Sequence, residues 1–200
     1  TGLWGYRLDE TTVGALTEAL DASETGVDVD GQASSLLGVG SVLRVDSERM
    51  LVTGRQMADT GQNVGGSGLT AQANSVTLAV SDGTAFTVDE ILLVESERML
   101  VVDIAGNNLT VKRAWDGSVL AAHAAGVDIY APRTLTVTRG ALGTTAATHA
   151  DASTVVRWDP PGPVRLLTIA EAINTVTMEQ AGYSKVLRSG EAGGSSERNR

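Results

Sequence analysis

The sequence predicts a mainly β protein with a C-terminal helix, built from two related small antiparallel β barrels or sandwiches, one inserted in the other. Three observations support this fold class. One six-residue segment recurs with an offset of 49 residues, another segment recurs with an offset of 26, and the apolar spacing changes from a strand pattern to a helix pattern after Pro163. Two different offsets exclude a simple tandem array and favour the insertion of one copy into the other.

Both repeats are strand motifs. Residues 47–52 read Ser-Glu-Arg-Met-Leu-Val, and residues 96–101 have the identical sequence. The second repeat aligns Leu-Thr-Val-Lys-Arg-Ala at 109–114 with Leu-Thr-Val-Thr-Arg-Gly at 135–140. Short apolar runs bounded by turn residues are typical of strands, and Gly106 lies in such a turn, so a hairpin is expected there.

The spacing between the two motifs indicates which copy is inserted. It is 10 residues from Met99 to Leu109 but 85 from Met50 to Leu135, an excess of 75 residues, which is about the length of one copy. Hairpin tips are exposed and tolerate insertions. The expected boundaries are 12–63 with 133–158 for an outer domain (copy A) and 69–131 for an inserted domain (copy B), connected through 65–68 and 131–132.

The region after the proline-rich segment predicts a helix over 163–188. Leu166, Ile169 and Ile173 recur at helical spacing, and proline is favoured at the start of a helix. The glycine- and serine-rich tail, 189–200, is expected to be flexible. Residues 1–11 are interpreted as a strand that leads in from a preceding domain.

Composition excludes several classes of function. The chain has no cysteine, which excludes disulfide frameworks, thiolate metal sites and cysteine nucleophiles. Its formal net charge of −9 argues against a free nucleic-acid-binding protein. No segment approaches the roughly 20 apolar residues of a membrane span. Residues 1–162 carry a net charge of −10 and residues 163–200 carry +1, so the acidity belongs to the β region.

Two glutamates are candidates for chemistry. Glu48 and Glu97 occupy the same place in the two copies, each followed by an arginine. Because one active site rarely occurs twice in a nested pair of small domains, we interpret both as structural. The expected partners are Arg139 for Glu48 and Arg113 for Glu97. An enzyme that uses a carboxylate pair, such as a hydrolase, stays open as the weakest alternative.

Neither histidine predicts a metal site. His123 and His149 also occupy equivalent places, so they are expected in different domains, each as a turn or strand-cap residue whose ring bonds to the backbone. Asp28-x-Asp30-Gly31 resembles the start of a calcium loop but lacks the downstream glutamate, and is interpreted as a plain turn. No cofactor is predicted.

Three longer segments share a pattern with a known family. Residues 102–123 include Gly-Asn-Asn-Leu-Thr-Val-Lys-Arg-Ala-Trp-Asp-Gly, residues 133–147 include Leu-Thr-Val-Thr-Arg-Gly-Ala-Leu-Gly, and residues 170–183 form part of the predicted helix. Together they resemble the head-to-tail connector (adaptor) proteins of long-tailed bacteriophages that infect actinobacteria, and the resemblance covers most of the chain.

The resemblance implies a structural virion protein of the phage neck, made in the bacterial host cytoplasm, and no enzyme. It implies a ring, typically of twelve copies, beneath the portal protein and next to head-closure or tail proteins. DNA would pass through this ring without sequence-specific binding, and no membrane is involved. The family also has an upstream helical domain, so we expect this chain, which starts at Thr1 without methionine, to be the C-terminal part of a longer protein.

The candidate interface residues are Trp115 in copy B and, on the helix, Leu166, Ile169, Ile173 and Tyr183. The resemblance implies that the helix belongs to the core of the ring and that the β domains project outward. A second function stays open at this point: a tail or decoration protein whose β modules contact the host surface or carbohydrate.

Overall fold

The computed structural model describes residues 9–160 and 162–188, with side chains described for 11–160 and 162–180. Glu10–Trp158 form one compact unit, and the C-terminal helix belongs to a second unit. Two expectations concern residues outside the described part of the chain. They are the flexible tail over 189–200 and, for its first eight residues, the leading strand over 1–11.

Ten strands in the described part of the chain form one continuous, mainly antiparallel sheet that is not closed. The strands are β1 Asp9–Ala15, β2 Gly26–Asp28, β3 Val42–Val45, β4 Glu48–Asn63, β5 Thr77–Ala79, β6 Ile91–Val94, β7 Glu97–Ala105, β8 Asn108–Lys112, β9 Asp128–Thr138 and β10 Thr154–Asp159. Their order is β1-β10-β3-β4-β9-β6-β7-β8-β5, with β2 paired to β9.

Two α-helices and three short 3-10 helices complete the described elements: α1 Gly31–Leu36, α2 Gly162–Arg188, and the 3-10 helices Gly83–Ala85, Trp115–Gly117 and Ala141–Gly143. The prediction of a mainly antiparallel β protein with a C-terminal helix is confirmed. The sequence predicts a plain turn at Asp30, but the structure shows that Asp30 is the N-cap of α1. Its carboxylate accepts from the N–H groups of Ala33 at 2.8 Å and Ala15 at 2.9 Å.

The two longest strands, β4 and β9, run through both copies of the repeat. They pair from Leu51 opposite Thr138 to Asn63 opposite Asp128, and β4 is irregular at three places. β3 pairs with the start of β4, and β6 pairs with the start of β9. The chain therefore crosses between the copies inside hydrogen-bonded strands. Residues 131–132 lie at this crossing, whereas 65–68 lie beyond it.

Each copy buries its own hydrophobic core. The copy A core contains Leu43, Val45, Met50, Val52, Leu135 and Val137, and the copy B core contains Leu92, Val94, Met99, Val101, Leu109 and Val111. These residues correspond one to one through the offsets of 49 and 26. The repeat therefore encodes the same buried positions twice. Aliphatic and methionine side chains fill both cores, and Phe86 in copy B stands where Leu37 stands in copy A.

Candidate functional site

A buried, fully bonded glutamate lies at the same place in each copy. In copy A, Glu48 starts β4 and has no exposed surface. Arg139 donates from Nε and Nη2 to its two carboxylate oxygens at 2.7 and 2.8 Å. The backbone N–H groups of Gly140 and Ala147 donate at 3.0 and 2.9 Å. Nε2 of His149 lies 2.9 Å from Oε2 of Glu48.

Copy B repeats this arrangement atom for atom. Arg113 donates from Nε and Nη2 to Glu97, both at 2.8 Å. The N–H groups of Ala114 and Ala121 donate at 2.8 and 3.0 Å, and Nε2 of His123 lies 2.9 Å from Oε2 of Glu97. The structure thus brings together both glutamate–arginine pairs that the sequence predicts. We call each set of glutamate, arginine and histidine an inner network.

The loop that follows each arginine is shaped to aim its N–H groups at the glutamate. Ala114 and Gly140, which directly follow the arginines, both have left-handed backbone angles, with φ of 51° and 62°. Asp116 and Leu142, two residues further on, are also left-handed. A non-glycine residue in this region costs about 1 kcal/mol. Since both copies adopt this conformation, the bonds to the glutamate outweigh the cost.

The arginines also bind the loop that precedes β2 in copy A and the loop that precedes β5 in copy B. Nη1 of Arg139 donates to the carbonyls of Asp21 and Glu24 at 2.6 and 2.7 Å. Nη1 of Arg113 donates to the carbonyls at positions 70 and 75, at 3.2 and 2.7 Å. Each guanidinium therefore fixes a loop that carries no regular structure of its own, in addition to holding the glutamate.

The hydrogen bonds keep both glutamates ionised. Burial raises the pKa of Glu48, but the bonds from Arg139, His149 and two backbone N–H groups outweigh burial and lower the pKa to about 2. The same balance, with Arg113 and two backbone N–H groups among the donors, lowers the pKa of Glu97 to about 2. A carboxylate that is ionised, inaccessible and fully bonded is not suited to general acid catalysis.

The expectation that the histidine rings bond to the backbone is wrong. Each ring lies between two carboxylates: Nδ1 of His149 is 2.7 Å from Asp46, and Nδ1 of His123 is 2.7 Å from Glu95. The backbone of each histidine bonds instead to Leu20 or Leu69. Each ring therefore links the buried glutamate of its copy to an outer carboxylate, that of Asp46 in copy A and that of Glu95 in copy B.

The outer carboxylates, Asp46 and Glu95, have a weak signal in the sequence. Each directly precedes the repeated Ser-Glu-Arg motif, and each has a left-handed backbone, with φ of 50° and 54°. This places them in the turns before β4 and β7. Both side chains are mostly exposed, so they extend the networks to the surface. Within the part of the chain that the structure describes, no group of three or more His, Asp or Glu is arranged to hold a metal ion.

The candidate interface residues lie either in copy B or on the C-terminal helix. Trp115 is half-buried in copy B, with Nζ of Lys112 4.6 Å from its ring centroid. Leu166, Ile169 and Ile173 lie on α2 and are exposed. Tyr183 lies in α2, but its side chain is outside the described residues. None of the described helices has the length and apolarity needed to cross a membrane.

Sequence reasoning missed one buried ion pair, Glu90 with Arg133, which lies between the two copies. Nε and Nη2 of Arg133 donate to the two oxygens of Glu90 at 2.8 and 3.0 Å. A signal was present, because both residues depart from the repeat. The equivalent positions, 49 and 26 residues earlier, are Ser41 and Asn107.

Comparisons of the chain with protein-family models, with curated proteins and with solved structures found no significant match. The likeness to phage adaptor proteins rests on the sequence segments quoted above.

Proposed function

We propose that the protein is a structural virion component, a head-to-tail adaptor that forms a ring between the portal and the tail of a tailed bacteriophage. The observation that carries this proposal is the exposure of α2. Its described side chains, from 162 to 180, are all exposed, and seven of them are large and apolar. They are Val164, Leu166, Leu167, Ile169, Ile173, Val176 and Met178. Extended apolar surface of this kind marks a contact site.

The arrangement of these side chains favours two neighbours over one. At 3.6 residues per turn, Leu166, Ile169 and Ile173 share one face of α2 with Val176. Leu167 and Met178 lie on the opposite face with Val164. A helix that is apolar on opposite faces is suited to burial between two partners. In a closed ring, each protein chain packs between two neighbouring chains through head-to-tail interfaces. The helix of each chain would therefore have two partners.

In the same proposal, copy A and copy B are two nested small barrels, each with one weak seam. Support comes from isolated backbone contacts across that seam. In copy A, Leu16 pairs with Val29 and joins the end of β1 to the chain after β2. At the equivalent place in copy B, the N–H of Gly65 donates to the carbonyl of Ala79 at 2.8 Å. Compact barrels with short edges suit a protein that projects from a ring and must not aggregate.

The charge distribution also supports a neck protein. The β region carries a net charge of −10, and phosphate groups of DNA are repelled by such a surface. DNA would therefore pass the ring without sequence-specific binding. The partners in this proposal are the portal protein, neighbouring copies and the head-closure or tail proteins.

Mass measurement of the full chain, alone and mixed with the portal protein of its phage, tests this function. We expect a multimeric ring, or a complex in which the adaptor matches the portal in copy number. Ile173→Asp places a charge on the first apolar face and should abolish assembly. Ala172→Asp places the same charge between the two apolar faces, beside Arg165 and Glu179, and serves as the matched control.

A chain that stays monomeric under both conditions would overturn the adaptor proposal. If the monomeric chain instead bound glycans of the host surface, the second candidate function, a tail or decoration protein, would be favoured. Equal loss of assembly in Ile173→Asp and Ala172→Asp would show that α2 contacts its neighbours differently from what we propose.

A further inference from the structure

We propose that the ion pair between Arg133 and Glu90 is a lock that holds the two β copies as one rigid body, and that the crossing of β4 and β9 beneath it acts as a hinge when the pair is broken. The inference concerns the β unit alone and does not depend on ring assembly.

The pair is buried and held by several contacts. Glu90 has no exposed surface, and both of its oxygens accept from Arg133. Nη2 of Arg133 also donates to the carbonyl of Ala85 at 2.6 Å. The guanidinium carbon lies 5.6 Å from the ring centroid of Phe86, within range of a cation–π contact. Arg133 therefore grips the segment of copy B that precedes β6.

Copy A packs against the other side of the same pair. Gly31 is the first residue of α1, and a methyl group on it would lie 2.9 Å from Oε2 of Glu90 and 3.0 Å from Nη2 of Arg133. Both distances are shorter than a normal contact, and because the two side chains are held in the bidentate pair, a methyl group here would strain the contact between α1 and the pair. The carbonyl of Arg133 accepts from the N–H of Val29 at 3.0 Å. The ion pair thus lies between α1 of copy A and residues 85–90 of copy B.

The repeat indicates that the pair has a role other than forming each barrel-like copy. Ser41, which stands in copy A where Glu90 stands in copy B, accepts from the N–H of Gly38 at 3.1 Å. Asn107 in the hairpin of copy B is equivalent to Arg133 in copy A. It donates to the carbonyl of Ser81 at 2.7 Å. Each copy therefore folds with a neutral residue at one of the two positions, and the charged pair occurs only where the copies meet.

The crossing itself is a weak connection. Only two strands join the copies, and β4 is irregular between Val52 and Gly54, between Gln56 and Ala58, and between Asp59 and Gln62. Bulges interrupt the ladder and bend a strand, and a two-stranded ribbon is only marginally stable alone. Pro132 in β9 has no N–H to donate. The carbonyl of Pro132 accepts from Oγ of Ser34 in α1 at 3.1 Å and from Nη2 of Arg55 in β4 at 3.2 Å, and both of these donors belong to copy A.

Open space on both sides of the lock leaves room for such a movement. Thr17 and Arg133 line two clefts, of about 220 and 390 Å³. The smaller cleft is bounded by residues of β2 and by Asp59 of β4. The larger one is bounded by the start of α1 and by Thr84 and Thr87 of copy B. A rotation of one copy would close one cleft, and the ion pair opposes that rotation.

Spin labels on the two copies measure this coupling directly. The chain has no cysteine, so Thr154→Cys in β10 and Val102→Cys in β7 place one label on an exposed strand position of each copy. Double electron–electron resonance then gives the distribution of distances between the labels. We expect a narrow distribution in the parent chain and a broad, shifted one in Glu90→Gln. Arg98→Gln, which breaks an exposed ion pair within copy B, is the control and should stay narrow.

Gly31→Ala provides a second variant that keeps every charge but forces α1 away from the pair, and it should also broaden the distribution. The circular dichroism of each variant reports whether it is folded. A narrow distribution in a folded Glu90→Gln or Gly31→Ala chain would overturn the lock. A broad distribution in the parent chain would do the same. Loss of folding in both variants would show that the pair is needed for folding itself, which also contradicts a lock.

Discussion

His149 places its Nε2 2.9 Å from Oε2 of Glu48, and His123 in copy B places the same atom 2.9 Å from Glu97. The repetition of this contact at the same distance, with the same arginine partner, indicates that the inner network is part of what makes each copy fold. A buried ion pair loses hydration, so its benefit depends on complete hydrogen bonding. Here each glutamate accepts five bonds, two from arginine, one from histidine and two from the backbone.

Removal of one glutamate charge should be strongly destabilising. In Glu97→Gln, the amide of glutamine would face Arg113, which would keep its buried charge without a carboxylate partner. Breaking a buried pair in this way costs about 3–5 kcal/mol. Chemical denaturation followed by circular dichroism measures the free energy of unfolding. Arg98→Gln breaks an exposed pair with Asp116 and should cost at most about 1 kcal/mol. Equal effects of the two variants would contradict a structural role of the inner network.

Acid should destabilise the protein through the same glutamates. The pKa of Glu48 and that of Glu97 are lowered from 4.5 to about 2 in the folded state. Between these values the unfolded chain binds more protons than the folded chain, so the free energy of unfolding falls as the pH falls. Each glutamate contributes roughly 3 kcal/mol, present in full above its unfolded pKa and lost on acidification towards the folded value.

Urea unfolding at a series of pH values checks this expectation. The midpoint should be constant in the region above the unfolded pKa and should decrease steadily below it. In Glu97→Gln the decrease should be about half as large, because only Glu48 remains to be protonated in a buried network. A midpoint that does not change on acidification would contradict the assignment of these carboxylates as ionised and bonded.

The repeat made much of the structure predictable, but it allowed the prediction only of contacts that occur in both copies. Residues that do the same work in both copies recur, which is why Glu48 could be matched to Arg139 although 91 residues separate them in the chain. A contact made only once leaves no such trace. Glu90 and Arg133 stand out only as departures from the repeat. A single sequence does not show why a position departs from the repeat, and the pairing of these two residues becomes visible only in the packed structure.

The position of the crossing between the copies could not be predicted for a different reason. Glycines at 65–68 suggest a connection, but β4 continues to Asn63 through residues 53–63, which are mostly polar and have no apolar alternation that would predict a strand. The histidines show a similar limit. Their equivalence was visible, but the bonding of their rings depends on Asp46 and Glu95, whose orientation is set by left-handed turns.

The continuity of β4 and β9 predicts that the two cores unfold together. Met50 and Met99 are fully buried at equivalent positions, opposite Leu43 in copy A and Leu92 in copy B. Met99→Ala should lower the free energy of unfolding by about 2–5 kcal/mol. Because β4 and β9 continue from one core into the other and the pair of Arg133 and Glu90 holds the two copies together, amide hydrogen exchange should accelerate equally at Leu43 and Leu92. Met50→Ala is the mirror experiment, and acceleration confined to the mutated copy in either variant would show that the copies unfold independently.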